Sequence, residues 1–385
     1  MRIVNILPRN MHFGPSNATS IDLCVHDLVS GSRFRASTRV LCHPNETLFS
    51  GLDVKTLPNS DSASRRHRWK YLLRCVRDYR PDLVVVQQHV PTGVAIARSA
   101  NVPVILHSHN MAKRSRGRGL IASVRRRFRV RSYQALAGFI FVSRAAQASF
   151  EREWPDVTVP RMVVPNGMKF EDWCPQPVRK REILCVGRAS PEKGIKEAAL
   201  AAVEVLRRHP DWRARFILSE AHVHPGYFME VRNILATAPE HVTLQESEPW
   251  AVVKKHVEEA AIAIVPSRWE EPFGRTALEA HAGGCAVVSS GTGGLREISG
   301  EHAVYLPNNF SAHDISQALD HLIADERRRN FLATAGREFC TENYAISTVS
   351  GRADQCYESV VGIPEVAQVS SSPNFGDRRI CPEVV

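Results

Sequence analysis

A chain of 385 residues exceeds what one hydrophobic core ordinarily holds and predicts two domains of about 170 to 190 residues with a cleft between them. With 43% hydrophobic and 23% charged residues, and no apolar run near the roughly 20 residues that span a bilayer, the composition is that of a soluble globular protein and excludes an integral membrane protein. The net charge of +10 favours an anionic partner, a requirement that nucleic acid, a phospholipid surface or a phosphorylated small molecule would each meet.

The chain begins M-R-I-V-N-I-L-P, an apolar stretch ended by Pro8 and too short for a signal-peptide core, so a cytoplasmic location is expected. β-Branched runs predict strands at 3–7, 38–42, 83–86, 104–106 and 139–142, with helices between them at about 16–30, 65–79 and 118–136. A charged, proline-bearing stretch at 173–181 is the expected linker. A second series of strands follows at 183–186, 216–218, 242–244, 262–265, 286–289 and 304–306. Residues 311–360 read as helical, with Ile315, Leu319, Leu322 and Ile323 at helical spacing, and the stretch from 364 has no periodicity. Alternation of strand and helix predicts parallel sheets covered on both faces, with ligands outside the carboxyl ends of the strands. The expected division is 1–172, 173–345, a helix at 346–363 returning to the first domain, and a disordered tail at 364–385. Nine cysteines from Cys24 to Cys381 form no C-x-x-C pair and are expected to be buried and reduced.

Three strand-to-helix segments carry chemistry. In G-R-A-S-P-E-K-G, Gly187 lets the backbone approach a ligand, and Arg188 and Lys193 can converge on phosphates beside a helix start. Taken alone, the segment reads equally as a turn with solvated charges. In E-P-F-G-R-T-A-L-E, Glu271 precedes a helix and Glu279 lies within it, so both carboxylates can face one ligand or, in the blander reading, cap the helix and form a surface pair. In S-G-T-G-G-L-R-E, ending at Glu297, small residues can expose N–H groups to an anion or simply turn the chain. That loop lacks the Lys-Ser or Lys-Thr of a P-loop, and the first strand does not lead into G-x-G-x-x-G, which disfavours a dinucleotide oxidoreductase.

In this order, about 80 residues apart and followed by G-G-L-x-E, the segments resemble the retaining glycosyltransferases of family 4, which have the GT-B fold: two doubly wound, Rossmann-like α/β domains facing across a cleft. The resemblance runs from the first strand to about residue 345. It implies that Arg188 and Lys193 hold the donor diphosphate, that Glu271 approaches the donor sugar, that Glu279 binds the ribose hydroxyls, and that Phe273, Gly274 and Arg275 lie by sugar and phosphates. It places the loop after the first strand, here Gly14 without the usual double glycine, on the donor phosphates, and a histidine near the reacting sugar. In H-S-H-N at the end of the 104–106 strand, the following polar residue favours His109 over His107. Asn166-Gly167 matches an N-G turn near the interdomain crossing.

From Lys113 to Arg131 there are nine Lys or Arg residues and no acid, interleaved with Leu120, Ile121, Val124, Phe128 and Val130. This predicts a helix with its basic face outward, either solvated or docked on an anionic membrane surface. No aromatic-rich stacking surface accompanies it, so no nucleic acid is expected. The sequence thus predicts a hexosyltransferase that uses a nucleotide-diphosphate sugar, needs no essential metal, and acts on a glycan or glycolipid acceptor in lipopolysaccharide or exopolysaccharide assembly, in the cytoplasm or peripheral on the inner membrane face. The alternatives are a GT-B-fold nucleotide-sugar epimerase and a non-catalytic basic membrane- or nucleic-acid-binding protein.

Overall fold

The computed structural model describes residues 1–7, 11–16, 18–59, 64–112 and 119–362, so the expected tail and residues 113–118 of the basic run lie outside it. The first half runs β1 (Ile3–Ile6), α1 (Ser20–Gly31), β2 (Thr38–Cys42), β3 (Asp53–Thr56), α2 (Arg65–Tyr79), β4 (Leu83–Gln87), α3 (Val90–Ser99), β5 (Val104–Ser108), α4 (Leu120–Tyr133), β6 (Gly138–Phe141), α5 (Arg144–Glu153) and β7 (Arg161–Val163). The second runs β8 (Lys180–Arg188), α6 (Ile195–Arg208), β9 (Arg213–Ser219), α7 (Pro225–Leu235), β10 (Val242–Glu246), α8 (Trp250–Glu259), β11 (Ala260–Val265), α9 (Arg275–Ala282), β12 (Ala286–Ser289), α10 (Leu295–Ser299) and β13 (Ala303–Tyr305). Three helices close the chain: α11 (Ala312–Ala324), α12 (Glu326–Tyr344) and α13 (Ile346–Val361).

Both sheets are parallel throughout, in the orders β3-β2-β1-β4-β5-β6-β7 and β10-β9-β8-β11-β12-β13. Their central strands are largely apolar because both faces are covered: Val4, Ile6, Val84 and Val86 pack on one side of the first sheet, Ile3, Leu83 and Val85 on the other. In each sheet the chain steps outward on one side, then returns to the centre and steps outward on the other. The loops leaving β1 and β4 therefore diverge, as do those leaving β8 and β11, and each pair opens a crevice at the carboxyl end of its sheet.

The strands that sequence reading missed, β3 and β7, are edge strands without a buried residue, so they lack the apolar run that marks the centre. Helix α3 carries Pro91, a breaker by composition but well placed in a first turn, and α5 is mostly polar. The expected linker at 173–181 ends within β8, and much of it is fixed. Trp173 is buried, and the Arg179 guanidinium donates to the carbonyls of Glu258 (2.6 Å), Ala260 (2.6 Å) and Gly283 (2.7 Å). Helix α13 packs through Val349, Ala353 and Tyr357 on the face of the first sheet that carries Leu28 of α1, and Asp354 accepts from Ser32 Oγ (2.6 Å) and Arg33 N (2.9 Å).

Of the eight described cysteines six are buried, and burial pushes the Cys185 thiol up to about 12. Among the described residues no helix is long and apolar enough to cross a membrane. Helix α4 differs from the expected amphipathic pattern. Leu120, Ile121 and Phe128 stand in solvent beside Arg125 and Arg127, and the helix meets the core near Val130 and Tyr133 and through Arg126 and Arg129 over the Trp154 ring.

Candidate active site

The crevice between β8 and β11 holds a cavity of about 460 Å³. Gly187 and Arg188 enter it from the end of β8, followed by Lys193 and Ile195 at the start of α6. The turn into α6 requires glycine at 194: its φ is +65°, and a Cβ there would collide with the Pro266 carbonyl of the β11 exit. The β11 side contributes Ser267, Trp269, Glu271 and Phe273, then Gly274 (φ +105°), Arg275 and Thr276 at the start of α9. First-turn N–H groups of α6 and α9, which have no intrahelical acceptor, thus sit on one wall together with two cations, the arrangement that holds phosphates.

Both of these cations pair with carboxylates. Lys193 Nζ lies 2.5 Å from Glu271 Oε1, which also accepts from Ser267 Oγ at 2.5 Å, and Arg188 pairs with Glu192 (3.3 Å) and Glu220 (3.8 Å). Of the two readings left open for the glycine-rich loop, anion donor or turn, the structure favours the turn. None of 291–294 lines the cavity; instead Gly293 (φ +58°) and Gly294 press on the backbone of 270–273, where a Cβ would meet the Glu271 and Phe273 carbonyls. Gly294 N donates to Glu271 O (2.8 Å) and Thr292 Oγ1 to Trp269 O (2.8 Å), so the loop braces the segment that carries Glu271.

Glu279 is drawn one layer inward. It borders a small side pocket that shares Val186, Val265 and Thr276 with the main cavity, and it accepts from Arg275 Nε at 2.8 Å. Burial pushes its carboxyl up, against the pull of the Arg275 guanidinium. Glu297 also departs from the donor side. Its carboxylate accepts from the backbone N–H groups of Arg144 (2.9 Å) and Ala145 (2.8 Å), capping α5 of the first domain, while the α5 cap residue Ser143 donates to the Pro272 carbonyl (2.6 Å). The end of the glycine-rich motif is therefore a clasp between domains.

The facing wall comes from the first domain. His109 lines the cavity, and its Nε2 lies 2.8 Å from Gln87 Oε1, while Gln87 Nε2 donates to Asn5 Oδ1 (2.7 Å). Gln87 Oε1 can only accept, so Nε2 carries the proton and Nδ1 keeps a lone pair for a hydroxyl donor. Burial pushes His109 down to about 4 and keeps it neutral. His107 stacks on it at 4.4 Å but faces the interior, does not line the cavity, and is driven well below the ordinary histidine value by burial and by the His109 ring. Gly14 does not line the cavity; it packs against the Thr47 carbonyl, where a Cβ would not fit. Ser20, Ile21 and Cys24 of α1 stand there instead, with Asn110 and Asn166, whose buried Oδ1 has no partner among the described residues. No motif marks the α1 residues, although Ser20 opens a helix whose capping box, Thr19 with Asp22, is legible in the sequence. Among the described residues no group of three or more His, Cys, Asp or Glu is placed to hold a metal ion.

Residues 174–339 match the family of glycosyl transferases group 1, and residues 37–171 match Glycosyltransferase Family 4. The two matches nearly abut and together run from β2 to α12. The chain belongs to glycosyltransferase family 4. A relative of this family 4 glycosyltransferase, the glycogen synthase of Mycobacterium tuberculosis, is 28% identical over 310 residues, 73% of this chain and 69% of that one. Anabaena HepE, solved in complex with UDP and glucose, superposes with a TM-score of 0.74 at 16% identity, covering 93% of this chain and 100% of that chain. Sucrose-phosphate synthase from Thermosynechococcus elongatus gives 0.72 at 17% identity, covering 94% and 100%. The family 4 glycosyltransferase thus has the GT-B fold that its motifs implied.

Proposed function

We propose that this family 4 glycosyltransferase moves a hexose-type sugar from a nucleotide-diphosphate donor to a glycan or glycolipid acceptor with retention of configuration. The observation that carries this reading is the gathering of Arg188, Lys193 and the first turns of α6 and α9 on one wall of a cavity whose opposite wall carries His109. Anabaena HepE, which shares the fold, is solved with UDP and glucose, and a nucleotide diphosphate suits the cationic wall.

In this reading the diphosphate displaces Glu271 from Lys193 and Glu192 from Arg188. The freed Glu271 carboxylate and neutral His109 then hydrogen-bond sugar hydroxyls. The bond from the anomeric carbon to the phosphate oxygen breaks and its electron pair leaves with the diphosphate, whose charge is stabilised by the two cations and helix N-termini. The acceptor oxygen bonds to the same face of the anomeric carbon, and its proton passes to the departing phosphate oxygen, which gives retention. Glu279 closes the inner end of the site toward the ribose, and no metal is assigned a role. Helix α4, with arginines beside exposed Leu120, Ile121 and Phe128, suits docking on the anionic inner face of a membrane, as in lipopolysaccharide or exopolysaccharide assembly.

UDP-, GDP- and ADP-sugars screened by thermal shift, followed by assay of nucleoside diphosphate release with and without membrane glycolipid extract, test this reading. We expect one nucleotide class to raise the melting temperature, release to depend on the extract, and release to persist in EDTA. Turnover without acceptor would indicate an epimerase or hydrolase, and loss in EDTA would contradict metal-free stabilisation.

A further inference from the structure

The first sheet has its own crevice, between the ends of β1 and β4, in the same topological position as the one between β8 and β11. It holds a cavity of about 570 Å³ that the donor reading does not use. Its floor is apolar, with Leu7, Val86, Leu72 and Trp69, and its rim carries Arg66 and Arg68 from the first turn of α2. That turn reads R-R-H-R at 65–68 with no acid, at the helix end where the dipole already disfavours cations. Such a cluster weakens the free helix and becomes favourable once an anion sits there. The Nε of Arg68 is buried without a partner among the described residues. The two cavities are close along the chain: Gln87, which fixes the His109 ring, is two residues from His89 on the wall of the second cavity, and His89 N donates to Gln87 O at 2.6 Å.

We propose that this cavity binds the acceptor, and that the acceptor is an anionic amphiphile whose apolar portion lies on Trp69 and Leu72 and whose phosphate or carboxylate meets Arg66 and Arg68. The proposal rests on the glycosyl-transfer reading of the other cavity and deepens it by naming the class of acceptor. Charge complementarity on the rim selects the anion, and the apolar floor selects a chain over a free inorganic ion.

The test is calorimetric titration of the full chain with n-octyl phosphate below its micelle concentration, beside n-octyl glucoside and inorganic phosphate. We expect octyl phosphate to bind at least ten-fold more tightly than either. Arg66→Glu, an exposed position that leaves the core intact, should weaken it ten-fold or more, and Ala95→Trp should abolish it by filling the cavity, with cooperative melting retained in both. Equal affinity for octyl glucoside, or for inorganic phosphate, would overturn the proposal. So would binding that survives both variants, or that is lost instead in Phe128→Glu on α4. Arg188→Ala keeps the two readings apart: it should lose nucleotide response and keep octyl phosphate binding. A wild-type protein that binds nucleotide but not octyl phosphate sinks the acceptor inference alone, and the reverse result sinks the donor reading.

Discussion

The two sheets share one plan and leave a crevice at the same topological place, but they fill it differently. Between β8 and β11 the crevice is lined by three cations, Arg188, Lys193 and Arg275, with two helix starts and paired carboxylates; between β1 and β4 it is apolar with an arginine rim. The first, in the proposed reading, recognises something common to many substrates, a diphosphate, and its loops require glycine at 194, 274 and 293. Its residues therefore occur as compact motifs. The second, on our proposal, meets the part of a substrate that differs, and it uses ordinary core and surface residue types spread from Ile6 to Ala95. Topology places both sites, while motif density marks only the one built from strained loops.

The strongest way to break this contrast is Glu279→Gln. Arg275, partly exposed to the cavity, would lose its counter-charge, and a hydrogen bond between charged groups contributes about 1.5 to 3 kcal/mol. We expect a clearly lower melting temperature together with weaker nucleotide affinity; an unchanged melting temperature would show that the pair only binds ligand.

Next is the pH dependence of the first domain. His109, held at about 4, and His107, held well below the ordinary value, take up protons less readily folded than unfolded, where a histidine titrates near 6.5. Their contribution is complete above about pH 6.5 and is lost as pH falls toward 4, at about 1.4 kcal/mol per pH unit for each. His109→Asn should flatten the fall in stability across that window, and an unaltered slope would show that His109 is not held neutral.

The smallest effect concerns the clasp between domains. Glu297→Ala leaves two N–H groups of α5 without their acceptor, at a cost of about 1 kcal/mol. Urea unfolding should register that loss, and chemistry at saturating donor should change less than in any substitution of Arg188.

Much of the second domain was legible because its strands are apolar on both faces and its donor loops need particular residues. His109 was legible too, since it ends a clear strand. Gly14 was misplaced because a glycine after a strand reads the same whether it faces a ligand or packs on the Thr47 carbonyl. The glycine-rich loop at 291–294 could be read either way for the same reason: the spacing reveals that close approach is needed, but not whether the neighbour is a phosphate or the Glu271 backbone. The proposed acceptor cavity has no motif because an apolar cavity assembled from four strand ends and two helices leaves no local pattern.

Calorimetric titration of UDP, GDP and ADP into the wild-type chain and into Arg188→Ala and Lys193→Ala tests the central claim most directly. Each cation contributes a charge-assisted hydrogen bond of about 1.5 to 3 kcal/mol, so the nucleotide that binds the wild type should bind each variant at least ten-fold more weakly. Equal dissociation constants in all three proteins would contradict the assignment of this cavity to the donor diphosphate.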